Sequence, residues 1–289
     1  MNNQGAEQEV ENWDIVVESK TPWFNLQLKH VWHYRDLLFL LVKRDYVASF
    51  KQTVLGPLWF FIQPLMTTFV YIFIFGRVAK ISTGSTPGIL FYFMNVVLWN
   101  YFASCLLSAS NTFVGNANLF GKVYFPRLII PMSSIFSNLL KFGVQFAMFI
   151  LMMAYYYFAQ PGSIHPTWSV LFFPFILLAM AMLGSGVGMI ISSMTTKYRD
   201  LNHLVAFGVQ LFMYATPVVY PLSFLKNGAG MLLMINPLTS LFELYRYMFL
   251  GEGSFNAMGL AYSFGFAAVA MAIGVIVFNR VEKSFIDTV

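Results

Sequence analysis

Residues 58–76 read LWFFIQPLMTTFVYIFIFG, nineteen positions without one charged side chain. As an α-helix this stretch rises about 29 Å, the thickness of a bilayer's hydrocarbon core. It is the first of several such runs. Apolar segments recur near 89–111, 131–158, 168–194, 203–221 and 257–279, giving six expected spans, the third long enough to tilt or project. Turn or charged residues separate them: Thr83 to Gly88, Asn116 to Arg127, Gln160-Pro161-Gly162, Lys197 to Asp200, and Lys226-Asn227-Gly228. The composition agrees, with 58% hydrophobic, 18% aromatic and only 10% charged residues in 289. Soluble domains carry about 25% charged residues and disordered chains more, so both classes are excluded. The single cysteine, Cys105, excludes a disulfide framework. The expected fold is an all-α integral membrane protein of six transmembrane helices.

Upstream of the first span, residues 1–30 form a polar tail with Glu7, Glu9, Glu11, Asp14 and Glu18, unlike a secretory signal. Residues 31–56 mix the short apolar run Leu37 to Val42 with charges at Arg35, Asp36, Lys43, Arg44, Asp45 and Lys51. Six apolar residues rise only about 9 Å. Charges about two turns apart share a face, so this segment is an amphipathic helix lying in the interface, or a helix packed on a partner. The spans then occupy 57–281, and 282–289 form the C-terminus. Placing both termini in the cytoplasm puts 12 of the 17 Lys and Arg residues there, including Lys20, Lys29, Lys122, Arg127, Lys197, Arg199, Arg280 and Lys283. The positive-inside rule favours that orientation. Segment 222–256 stays outside. Pro221, Asn227-Gly228, Asn236-Pro237 and Gly251 cut it into short apolar pieces, which read as re-entrant outer helices between spans five and six.

Several chemistries lack their residues. No Asp or Glu falls within the six spans, which disfavours intramembrane acid–base catalysis and proton coupling. No metal site is expected. The string Gly115 to Lys122 resembles a phosphate-binding loop only loosely: five residues separate its glycines, and Val123 stands where Ser or Thr is required. This chain is therefore expected to have no catalytic site and no ATPase of its own. Gly184, Gly188 and Ser192 recur every four residues, a small-residue stripe that lets another helix approach closely.

Other residues form polar-aromatic stripes. In span one Trp59, Gln63, Thr67 and Tyr71 recur every four residues; in span five His203, Phe207, Gln210, Tyr214, Pro217 and Pro221 alternate by four and three. Such faces turn inward, and flat rings with occasional amides match the chemistry of sugars; ordinary helix packing explains the spacing equally well. Span two carries a weaker set, Tyr92, Asn95, Trp99 and Phe102. Lys141 is the one charge well inside a span, and either snorkels or lines a polar path. Glu243 and Arg246, three apart, can pair on a short outer helix.

The strings Arg44-Asp45-Tyr46, Thr53-Val54-Leu55-Gly56-Pro57-Leu58-Trp59 and Gln63-Pro64-Leu65 resemble the start of polysaccharide-exporting ABC transporter permeases. Lys122-Val123-Tyr124-Phe125-Pro126-Arg127, Tyr198-Arg199-Asp200, Thr216-Pro217-Val218-Val219-Tyr220-Pro221, Asn236-Pro237-Leu238 and Tyr245-Arg246 continue the match over about residues 35–250. O-antigen, teichoic-acid and capsule exporters share the pattern. The resemblance implies a homodimer in the bacterial cytoplasmic membrane, two separate cytoplasmic ATPase subunits that hold ATP and Mg, and a lipid-linked glycan as cargo. It places ATPase coupling at the amphipathic helix and the loop Asn116 to Arg127, with Arg44, Asp45, Lys122, Tyr124 and Arg127 as candidates. It makes Trp59, Gln63, Thr67, Tyr71, Phe207, Gln210 and Tyr214 path candidates, and Glu243 and Arg246 gate candidates. The acidic tail has no counterpart role. Rival readings are an exporter of a small lipophilic compound, a membrane-embedded glycosyl or acyl transferase, and a non-catalytic scaffold.

Overall fold

The computed structural model describes residues 33–120, 125–196, 198, 200–224 and 229–285; the polar tail, Lys122, Tyr124, Arg199 and the last four residues lie outside them. Among the described residues every regular element is helical. Helix α1 spans Arg35–Ala48. Five helices are long and apolar enough to cross a membrane: α2 (Gly56–Val78), α3 (Gly88–Ser110), α4 (Ile129–Ala159), α5 (Trp168–Thr195), and α9, which runs Ala257–Phe285. Between α5 and α9 lie α6 (Leu201–Tyr214), α7 (Ala229–Met234) and α8 (Pro237–Leu250). At 31 residues α4 rises about 46 Å and outruns a hydrocarbon core of about 30 Å.

The expected fifth span, 203–221, is not one continuous helix. α6 stops at Tyr214 after 14 residues, a rise of about 21 Å. Pro217 explains the stop, since its ring lacks an N–H and collides with the carbonyl four residues back. The expected interfacial helix over 31–56 is also shorter. The chain leaves helical geometry after Ala48, and Gln52 sits at φ 64°, which ends any helix for a non-glycine residue.

α5 is the axle of the bundle, packed against α3 on one side and α9 on the other. The small-residue stripe makes the first contact: a Cβ on Gly184 would stand 2.8 Å from the Phe102 carbonyl, and one on Gly188 2.5 Å from that of Leu106. Sequence spacing singled out that face. It missed Gly186, which points the other way, where a Cβ would meet the Met271 nitrogen at 2.6 Å and Gly274 closes on it from α9. Backbones this close gain dispersion and shallow interhelical contacts, the main source of helix association in lipid.

The two ends of the bundle differ. At the terminal end, Leu38, Leu41 and Val42 of α1 bury themselves with Phe113, Phe125, Leu128, Ile129 and, from α9, Val275 and Phe278. Phe39 and Leu40 of α1 stay 67% and 62% exposed, so α1 has one face on α4 and another free for lipid or protein. Phe60 of α2 stacks on Tyr46 at 5.8 Å and meets Phe50 edge-on, joining α1 to the first span. At the capped end the loops are tied together. The Glu252 carboxylate accepts from Ser85 N (2.7 Å), Ser85 Oγ (2.9 Å) and Thr86 N (3.1 Å), while His165 N and Thr167 N donate to the carbonyls of Leu250 and Met248.

Candidate functional site

The capped end holds the chain's best-organised polar structure. α8 has the start and stop residues a short helix needs. Asn236 Oδ1 accepts from Leu238 N at 3.0 Å, Pro237 occupies the first turn, and Gly251 closes the helix at φ 77°. Gly251 serves twice, because a Cβ there would also strike the His165 carbonyl at 2.7 Å. Asn236 then reaches across to the broken end of α6. Its Nδ2 donates to the Ala215 carbonyl (3.1 Å) and Thr216 Oγ1 (2.8 Å).

Arg246 completes the clamp. Its Nη1 donates to the carbonyls of Pro217 (2.9 Å) and Tyr220 (3.3 Å), and its Nη2 pairs with Glu243. Arg246 is 1% exposed and Glu243 6%, and the guanidinium lies 5.3 Å from the Phe91 ring of α3. Non-helical backbone at membrane depth survives only where the protein satisfies its polar groups. Residues 215–220 are such a stretch, and two side chains of the α8 region supply the missing donors. Glu243 and Arg246 were expected to pair; that Arg246 serves the Pro217 break was invisible from spacing.

The expected path residues divide. Tyr71 alone turns inward: it is 8% exposed, and its hydroxyl donates to Met213 Sδ at 3.4 Å. Phe75 links it to α6, with its ring 5.7 Å from Tyr71 and 6.5 Å from Tyr214. Thr67 is half-buried and returns its hydroxyl to the Gln63 carbonyl. Trp59, Gln63, Phe207, Gln210 and Tyr214 lie on open surface, which corrects the expectation that both stripes turn into the chain. α2 and α6 touch the bundle mainly through α3, with further contacts from α2 to α4 and from α6 to α5. Their remaining faces, including Met66, Phe69, Val70, Phe73, Leu204 and Leu211, form a broad apolar surface studded with these amides and rings. The weaker set on span two is the buried one: Tyr92, Asn95, Trp99 and Phe102 are all 4% exposed or less.

Coupling candidates at the terminal end also divide. Arg44 and Asp45 pair at 2.8 Å on the accessible side of α1. Lys141 of α4 lies within electrostatic reach of Asp45 of α1. Arg127 is only 6% exposed, with its guanidinium 4.9 Å over the Phe120 ring. Gly115 ends a helical turn, Thr112–Gly115, followed by another, Ala117–Phe120.

Against known proteins, residues 36–250 match the family model described as ABC-2 type transporter. An O-antigen export system permease protein RfbA of Myxococcus xanthus is 30% identical over 225 residues, covering 77% of this chain and 83% of that protein. Two proteins of the same description from Klebsiella pneumoniae are 27% and 25% identical over 253 and 252 residues, each covering 87% of this chain and 94% of the relative.

Proposed function

The chain belongs to the ABC-2 type transporter family, and from that premise we propose that it is the permease subunit of an ABC exporter for a lipid-linked polysaccharide of the O-antigen kind. The observation that carries the cargo is the likeness, over most of both chains, to permeases named for O-antigen export. The open polar-aromatic surface of α2 and α6 supports it. Two copies of this chain meeting along that surface enclose Trp59, Gln63, Thr67, Phe207, Gln210 and Tyr214 in one passage, with Tyr71 buried directly behind them. Rings stack on sugar faces, amides exchange hydrogen bonds with hydroxyls, and neither grips one register hard, which suits a polymer that must slide.

ATP hydrolysis belongs to two separate cytoplasmic subunits, which bind ATP with Mg; Gly115 to Lys122 of this chain do not fit a phosphate site. The terminal end faces the cytoplasm of the bacterial inner membrane, as the distribution of 12 in 17 positive residues favours. Motion reaches the spans through α1, by the Arg44–Asp45 pair, and through the loop Asn116 to Arg127, with Lys122 and Tyr124 as contacts and Arg127 as the brace. The clamp of Glu243 and Arg246 closes the outer end.

The test is complementation in a strain lacking its own O-antigen permease, with the ATPase from the same gene neighbourhood. Restored surface glycan and co-purification of the ATPase are expected. Co-purification without surface glycan, together with ATPase stimulation by small lipophilic compounds, overturns the cargo; absence of both overturns the exporter.

A further inference from the structure

α3 is the most enclosed of the five long helices, and two of its polar groups have no partner among the described residues. Asn95 is 0% exposed, yet neither Oδ1 nor Nδ2 makes a hydrogen bond among the described residues. The Tyr92 hydroxyl, one turn toward the capped end, is buried and unpartnered too. Buried amides are nearly always satisfied, and a leucine of similar volume would fill this place without that cost. An exception of this kind calls for a physical reason.

Its position supplies one. Phe91, Asn95 and Trp99 are spaced by four residues and share a face of α3. Phe91 lies against the Arg246 guanidinium of α8, and the Trp99 ring lies 6.2 Å from Phe212 of α6. Asn95 occupies the helical step between these two contacts. Tyr92 turns toward Gly76, in the π-helical turn Ile72–Val78 of α2, and such turns concentrate at functional sites. The unpartnered groups thus lie where α2, α6 and α8 converge on α3. α2 and α6 also carry the open faces proposed above to line the passage, so their parting from α3 would bring these groups to it.

We propose that Asn95, with Tyr92 beside it, is a glycan-contacting residue of the open transporter, sealed in the closed state behind the Phe91–Arg246 and Trp99–Phe212 contacts. The inference rests on the polysaccharide reading above and adds a span-two contact to it. A carboxamide offers two donors and two acceptor lone pairs, which match a neighbouring pair of sugar hydroxyls. Because the amide is unpaired when closed and paired when glycan is present, it favours the loaded open state over the empty one. A ligand shifts an equilibrium only by such differential interaction.

Two variants in the intact complex with its ATPase test this. Asn95→Leu should keep the wild-type thermal midpoint or exceed it and export glycan about tenfold more slowly, the effect of one or two lost hydrogen bonds. Export at the wild-type rate overturns the inference. So does loss of thermal stability in step with export, which marks a structural role. In a Cys105→Ser background, which removes the one native cysteine, Asn95→Cys should resist a membrane-impermeant maleimide at rest and react during ATP-driven turnover. Reactivity indifferent to ATP overturns the inference. A wild-type complex that exports no glycan removes the polysaccharide reading and this ligand with it. A wild-type complex that exports normally, beside an indistinguishable Asn95→Leu, removes only the present inference.

Discussion

Replacing Arg246 with Met keeps the bulk of the side chain but removes three interactions at once. The carbonyls of Pro217 and Tyr220 lose their donor, and Glu243 is left as a carboxylate only 6% exposed with no counter-charge. Breaking a buried ion pair from one side costs about 3–5 kcal/mol, mostly because the surviving charge stays desolvated. A buried carbonyl without a partner adds about 1–3 kcal/mol, and the two effects overlap. Glu243→Gln removes the charge that the first variant strands. The double variant Arg246→Met/Glu243→Gln should therefore cost less than the sum of the singles, with favourable coupling of about 2 kcal/mol. Arg246→Lys should fall between, since an ammonium cannot span both carbonyls and the carboxylate as a planar fork does. Thermal unfolding of the purified permease measures all four variants. The clamp reasoning fails if Arg246→Met lies within about 0.5 kcal/mol of wild type, or if the double variant is simply additive.

Replacing Tyr71 and Tyr214 with Ala should reduce surface glycan without reducing ATPase assembly; unchanged glycan in that double variant removes the aromatic path. Gly186→Leu drives a side chain into the Met271 and Ala270 backbone of α9, where a Cβ already meets atoms at 2.6 and 2.7 Å. It should cost about 1–3 kcal/mol or more by overpacking, seen as lost folded protein, whereas Leu at Gly208, with nothing within 4 Å, should be tolerated. Glu252→Ala should unfasten the Ser82–Pro87 loop and raise hydrogen exchange at the amides of Ser85 and Thr86; equal protection would show that the carboxylate does not hold them.

The helices and their order were legible because lipid imposes a local rule. A stretch of about 20 apolar residues must form its own hydrogen bonds, so composition in one window is enough to mark it. Gly184, Gly188 and Ser192 were legible for a related reason, since helical spacing puts them on one face whatever that face meets. That most of the α2 and α6 stripe residues lie on open surface was not legible. A stripe of Trp59, Gln63 and Tyr71 says which residues share a side, not whether that side faces the same chain, a second copy or lipid. The burial of Arg127 beside the Phe120 ring was not legible either, because a cation in a loop reads as exposed until a neighbouring ring is placed.

What the sequence by itself determined is therefore everything that a single helix settles internally: the long apolar segments, their stops at proline and glycine, the charge bias between the two ends, and the lack of carboxylates in the spans. Only the tertiary structure decided that the break after Tyr214 is held by Asn236 and Arg246, residues 20 to 30 positions further along. It alone decided that Asn95 is enclosed without a partner. Both outcomes depend on which backbone groups are left unsatisfied when separate elements meet, and a hydrogen bond between elements has no period in the sequence to reveal it.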